Sequence, residues 1–192
     1  MSITITKATV SHAAAIATIG KRSFRHAFEK LFNSREELFE YLEHTYDPVK
    51  LARSLRKENN CYLLAWYKNE PIGFTKIKRD SLSEHIESVS QMELQKIYVL
   101  PHRQGLGAGH ALVHAVLDMA NEVAPDYTWL DTHISNEKAI SLYERHGFEK
   151  IGKHYFTIGT QTFEYHVMAR PNENEVNMPS NSGAMMEPCC DE

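Results

Sequence analysis

Three glycines alternate at positions 105, 107 and 109, just after an apolar run broken by Pro101 and just before a stretch of helical period. Glycine lets the main chain approach a ligand closely and turn its N–H groups towards it. A helix start adds unpaired N–H donors and the positive end of the helix dipole. Strand, glycine loop and helix start, in that order, make a site for an anionic phosphate or pyrophosphate. A plain connecting turn needs one glycine and not three in alternation. A nucleotide P-loop requires Gly-Lys-Ser/Thr, and Gly109 is followed by His110. A dinucleotide fingerprint would place its third glycine at position 110. Asp131 lies where a ribose-binding acid would, which keeps the dinucleotide reading as an alternative.

His110, His114 and Asp118 recur every four residues and invite a metal reading. Leu112, Val113, Val116 and Leu117 form the apolar side of that helix, so the stripe is expected to face water. No His-Glu-x-x-His pattern or cysteine pair accompanies it, and no metal is expected.

The elements that must position the loop are legible from periodicity. Residues 3–10 alternate like a strand, and Ser11 can cap a helix that begins at Ala13. A helix-rich stretch runs to about Lys57, interrupted at Asn33-Ser34 and at Asp47-Pro48. Residues 61–67 and 72–78 flank Lys68-Asn-Glu-Pro71 as a hairpin. A polar loop, 80–90, precedes a strand over 92–100, a helix over 107–121 and a strand over 127–133. Ser135 or Asn136 caps a further helix that stops at Gly147, and strands over 148–156 and 162–169 follow. The order β-α-α-α-β-β-β-α-β-α-β-β predicts an α/β fold, with a mixed, mostly antiparallel central sheet flanked by helices.

Composition bounds the rest. The chain has 192 residues, 42% apolar and 24% charged, the profile of one globular domain. Residues 171–192 are polar, broken by Pro and Gly, and carry five acids with no Lys or Arg. They are expected to form a disordered acidic tail after a single domain over 1–170. Within 1–170, twenty acids meet twenty-one basic residues, so the formal charge of −4 belongs to the tail and no nucleic-acid surface is forecast. Three cysteines, no secretory signal and no long apolar run suit a cytoplasmic protein that does not enter membranes.

Gln104-Gly-Leu-Gly-Ala-Gly109 resembles the Gln/Arg-x-x-Gly-x-Gly/Ala loop of the GNAT superfamily of acyl-CoA N-acyltransferases. A second signature, Asn-x-x-Ala-x-x-x-Tyr-x-x-x-Gly-Phe, stands complete as Asn136, Ala139, Tyr143, Gly147 and Phe148. The resemblance covers about residues 3–170. It implies that acetyl-CoA is the co-substrate, and that Gln104, Gly105, Leu106, Gly107, Ala108 and Gly109 hold its pyrophosphate through main-chain N–H groups. It also implies that Ile97, Tyr98 and Val99 lie along the pantetheine and acetyl end, with the Val99 N–H as oxyanion donor. Asn136 would cap its helix and touch the coenzyme. Tyr143 would direct its phenol to the leaving sulfur as general acid. Glu93, on the same strand as Ile97, would act as base directly or through water, unless it faces solvent or pairs with Lys96.

Within the superfamily the chain is most similar to bacterial polyamine (spermine/spermidine) acetyltransferases, through Ser23-Phe-Arg-His-Ala-Phe28, Met92-Glu-Leu-Gln-Lys-Ile-Tyr98 and Gly152-Lys-His-Tyr-Phe156. In those enzymes the final strand tends to carry an Asp near the position of Tyr165. The expected acceptor is a small polyamine or diamine, held by Phe24, Phe28, Tyr41 and His133 beside the acidic stretch Glu36, Glu37, Glu40, Glu43 and Asp47. A protein N-terminus or lysine is the alternative acceptor, and a non-catalytic acyl-CoA sensor is the alternative of another class. Homodimerisation stays open.

Overall fold

The computed structural model describes residues 2–172. The predicted tail therefore lies outside the described residues from position 173 onward. Seven strands form one sheet: β1 Thr4–Lys7, β2 Asn60–Tyr67, β3 Glu70–Arg79, β4 Gln91–Val99, β5 Tyr127–His133, β6 Glu149–Ile158 and β7 Gln161–Pro171. Their spatial order is β1-β2-β3-β4-β5-β7-β6, and among the described residues only the β4–β5 pair is parallel. Five helices accompany the sheet: α1 Ala13–Phe28, α2 Arg35–Thr45, α3 Pro48–Leu55, α4 Ala108–Val123 and α5 Glu137–Glu144. The mixed, mostly antiparallel α/β fold expected from the sequence is the one observed.

Local chemistry sets the boundaries. The Ser34 hydroxyl accepts from Glu37 N at 3.2 Å to start α2, and Asp47 Oδ1 accepts from Lys50 N at 2.7 Å to start α3, with Pro48 in the first turn. Asn136 Oδ1 caps α5 by accepting from Ala139 N at 3.4 Å. Lys68 and Asn69 turn the β2–β3 hairpin with φ of 49° and 63°, the left-handed pair that matches strand twist. The start of α1 differs from the expected Ser11 cap. A 3-10 turn, Val10–His12, precedes the helix, and His12 Nδ1 accepts from Thr9 N at 2.9 Å. Thr9, extended at φ −116°, ends the strand region early and spends Ser11 inside the turn, where its hydroxyl bonds Thr9 Oγ1 at 2.8 Å.

The central strands β2 to β5 are covered on both faces, whereas the edge strands β1 and β6 are largely exposed. Ile16, Phe24, Leu38, Leu42 and Tyr46 of the α1–α3 layer pack on Tyr62, Leu64 and Phe74. Leu112, Val113 and Val116 of α4 and Ile140 of α5 pack on Leu63, Ile72, Ile77, Met92, Leu94 and Leu130. Each such large side chain contributes roughly 1.5–3 kcal/mol through its burial.

Two irregularities open the sheet where the site lies. β4 and β5 pair at Gln91↔Tyr127, Met92↔Thr128 and Glu93↔Trp129, and then part. In β4, Leu94 pairs with Ile77 and Lys96 with Lys76, so Gln95 is the extra residue of a bulge. The bulge bends β4 and shifts its side-chain phase. Met92, Leu94, Ile97 and Val99 join the α4 side, while Tyr98 and Leu100 join the α1 side.

Candidate active site

Two cavities occupy the wedge between β4 and β5 and share Phe28, Ile97, Tyr98, Asn136 and Tyr143 as a common wall. The first, of about 620 Å³, runs from that wall to the glycine loop and the start of α4. Gly105 and Gly107 take φ of +83° and +85°, a conformation costly for any residue with a side chain, whereas Gly109 already lies inside α4. A Cβ at Gly105 or Gly107 would meet nothing within 4 Å, so backbone conformation alone demands glycine there. Among the described residues, no main-chain N–H from Gly105 to His110 donates to another part of the chain; the first bond of the helix is Ala111 N to Gly107 O at 3.0 Å. Six main-chain donors across the loop and the first turn of α4 therefore have no internal acceptor, as an anion site requires.

Ile97, Tyr98, Val99, Gln104, Gly105, Gly107, Ala108, Gly109, Asn136 and Tyr143 all line this cavity. Leu106 does not: its side chain is exposed, so it can contribute only main chain. The side-chain charge of this cavity has no signal in the sequence. His26, Arg103, His110, Lys138 and Arg145 line the cavity, and no acid does among the described residues. His110 thus belongs to this rim, with its Nδ1 3.1 Å from His146 Nε2, rather than to a stripe facing only water. Asp131 is absent from this cavity, which removes it as a ribose ligand here and with it the dinucleotide alternative.

Register shows how β4 addresses the cavity. Leu100 N donates to Ile72 O at 2.8 Å, so by antiparallel alternation Tyr98 and Leu100 turn their N–H groups to β3. Ile97 and Val99 then turn theirs into the wedge. The Val99 carbonyl on that side accepts from the Ser23 hydroxyl of α1 at 3.1 Å.

Tyr143, buried at the common wall, packs edge-on against Phe148 with ring centroids 6.0 Å apart. Among the described residues its hydroxyl makes no hydrogen bond, and burial pushes its phenol well above the usual range. It stays protonated and able to donate into the wedge.

The second cavity, of about 440 Å³, is lined from β4 by Glu93, Gln95 and Lys96, from β5 by Asp131, Thr132 and His133, and from α1 and α2 by Phe24, Phe28, Tyr41 and Thr45. His154, Phe156 and Tyr165 close it from β6 and β7. Phe24, Phe28, Tyr41 and His133, singled out by sequence, therefore all reach this cavity. The acidic stretch does not. Glu37 bonds Thr160, Glu43 pairs with Lys21 at 2.7 Å, Asp47 caps α3, and Glu36 and Glu40 line an outer groove. Glu93 and Asp131 supply the carboxylates instead. Glu93 is 9% exposed, accepts from the Ser81 hydroxyl at 2.7 Å and from Gln95 Nε2 at 3.3 Å, and forms no direct ion pair with Lys96. Asp131 Oδ2 holds His154 Nδ1 at 2.8 Å.

His133 Nδ1 accepts from Ser135 N at 3.2 Å, which assigns the ring proton to Nε2. Phe28, Phe163 and Tyr165 surround the ring, and burial lowers its affinity for a second proton. The ring therefore favours the neutral form, with its proton on Nε2.

The wedge in this mixed sheet has a cavity with basic side chains and unpartnered amides on one side and an aromatic-lined cavity on the other, an arrangement suited to group transfer between two substrates. The chain belongs to the acetyltransferase (GNAT) family, whose model matches residues 25–148, and it is an N-acetyltransferase. It is 29% identical over 131 residues to the uncharacterized N-acetyltransferase YhfO of Bacillus subtilis, covering 68% of this chain and 87% of that one. Its fold is similar to PaiA N-acetyltransferase of Thermoplasma acidophilum in complex with coenzyme A, with a TM-score of 0.73 and 19% identity over 89% of this chain and 99% of that one. It is also similar to the ribosomal-protein-S18-alanine N-acetyltransferase of Escherichia coli, with a TM-score of 0.66 and 21% identity over 92% and 99% of the two chains.

Proposed function

We propose that the protein moves the acetyl group of acetyl-CoA to a primary amine by direct attack within a ternary complex, and that the amine is a small polyamine or diamine. The observation that carries this reading is the meeting of two unlike cavities at Tyr143, Ile97 and Tyr98. The first offers free main-chain donors and basic side chains to a pyrophosphate and its neighbouring phosphate. The second offers aromatic walls to a methylene chain and two carboxylates to ammonium groups.

The amine nitrogen, once deprotonated, attacks the thioester carbonyl carbon. In this reading the Val99 N–H donates to the oxygen as it gains charge, a contribution worth several kcal/mol in a site closed to water. As the carbon–sulfur bond breaks, Tyr143 donates to the departing thiolate. A phenol raised by burial gives up its proton at a cost, so the hydrogen bond it makes to sulfur is its main contribution. Asn136 fixes the start of α5 and thereby the position of Tyr143, two turns later. A cytoplasmic location follows from this substrate pairing, since acetyl-CoA is met there; among the described residues no helix is long and apolar enough to cross a membrane.

An array of spermidine, spermine, short diamines and peptides, each with acetyl-CoA, tests the reading through the release of CoA. Turnover of the polyamines or diamines is the expected outcome. Turnover of peptides alone would transfer the assignment to protein N-termini or lysines, and tight CoA binding without turnover would make the protein a sensor.

A further inference from the structure

The second cavity contains a lysine that, among the described residues, forms no ion pair. Lys96 lines the chamber next to Ile97 and Tyr98, and its Nζ lies 5.7 Å from the centre of the Tyr46 ring. The charged groups that face it are Lys76, its partner across β3, Glu93 on its own strand and Lys50 on α3. Burial first, and then Lys76, push its ammonium down to about 8; Glu93 pulls the other way, and Lys50 adds the least.

We infer that Lys96 is the base that takes the proton from the incoming amine. The inference rests on the amine acetyltransferase reading and names a residue for its first step. The acceptor's ammonium gives one proton to the neutral Lys96 amine. The lone pair left on the acceptor nitrogen forms the new carbon–nitrogen bond, the carbon–sulfur bond breaks, the nitrogen's second surplus proton passes to the departing thiolate, and the Lys96 ammonium returns its proton to solvent after the products leave. A cationic acceptor entering the chamber adds repulsion that favours neutral Lys96, so one proton is shared between two amines. A proton leaves an ordinary ammonium, near ~10, for an amine of lower basicity far more cheaply than for a carboxylate of ordinary acidity, near ~4. Glu93, held by Ser81 and Gln95, steadies the ammonium that forms and is a positioning residue. The Tyr46 ring, under Nζ, does the same.

The test compares Lys96→Arg, which keeps the charge but cannot titrate, with Lys96→Met, using coenzyme affinity and melting temperature to verify that both fold. Both are expected to lose kcat by about 10²-fold with affinity for acetyl-CoA unchanged. Both are expected to lose the limb of kcat that rises through pH about 8 in the wild type. Near pH 10 the Lys96→Met variant is expected to recover activity, because the acceptor then deprotonates in water. Carbon-13 NMR of lysine side chains, with CoA present, is expected to show Lys96 titrating near 8 independently of turnover. A wild type that acetylates amines, with variants that keep its kcat and its pH profile, would overturn the assignment of Lys96 alone, as would an NMR midpoint near the ordinary ~10.4. A wild type that acetylates no amine would overturn the reading beneath it and this step together.

Discussion

Tyr143 is asked to do something that packing alone does not require: keep a hydroxyl without an internal partner at the junction of two cavities. Tyr143→Phe keeps the ring contact with Phe148 and removes only the donor. It is expected to lower kcat by about 10–10²-fold while coenzyme affinity by calorimetry stays unchanged; full activity would leave the ring as packing only. Lys96 makes the complementary prediction about stability. Its folded value, about 8, lies below the unfolded one, so between pH 8 and 10 the folded chain binds fewer protons and stability rises with pH. Below pH 8 its charge opposes folding throughout, and Lys96→Met is expected to be more stable at pH 7 by about 1–3 kcal/mol in urea unfolding. Single residues were unevenly legible in the sequence. Tyr143, Asn136 and the loop glycines stand in spaced motifs, whereas Arg145, Lys138 and Asp131 are ordinary charges whose sequence neighbours say nothing of which cavity they reach.

At the level of elements, the bulge in β4 organises the site. Apolar residues sit at 92 and 94 and then at 97 and 99, a slip of one in a period of two. That slip is the sequence signal for the bulge at Gln95, and it puts Glu93, Lys96 and Tyr98 on the acceptor side together. Strand and helix order is otherwise plain from period and caps. The early end of β1 is not, because it depends on a tight turn at Thr9 and not on any apolar pattern. Two helices are positioned by glycines whose reasons differ. A Cβ on Gly20 of α1 would stand 2.3 Å from the Tyr46 ring, so Gly20→Ala displaces the ring that underlies Lys96. The cost expected is about 1–3 kcal/mol, read as a lower urea midpoint. Gly107→Glu meets no steric wall, but it forces a left-handed residue and sets a negative charge in the cradle. Coenzyme binding by calorimetry is expected to vanish with the fold intact by circular dichroism, and unchanged affinity would contradict the role given to the loop.

Across the whole molecule, charge is sorted by cavity more clearly than by net balance. The chain carries −4 overall, yet the coenzyme side of the wedge is lined by basic groups alone among the described residues. A total near neutrality concealed this, because sequence order does not reveal that α1, the β4–α4 loop and α5 converge on one rim. The acidic run over 36–47 points the opposite way, since Glu37, Glu43 and Asp47 are spent on the β6–β7 turn, an ion pair and a cap, while Glu36 and Glu40 line an outer groove. The central claim, that the free amides from Gly105 to His110 grip the diphosphate of acetyl-CoA, is tested most directly by titrating nitrogen-15 labelled protein with CoA and following those amides. Large saturable shifts at these residues, at Ile97 to Val99 and at the α5 start are the result expected, and a saturated protein in which the amides of 105–110 do not move would contradict it.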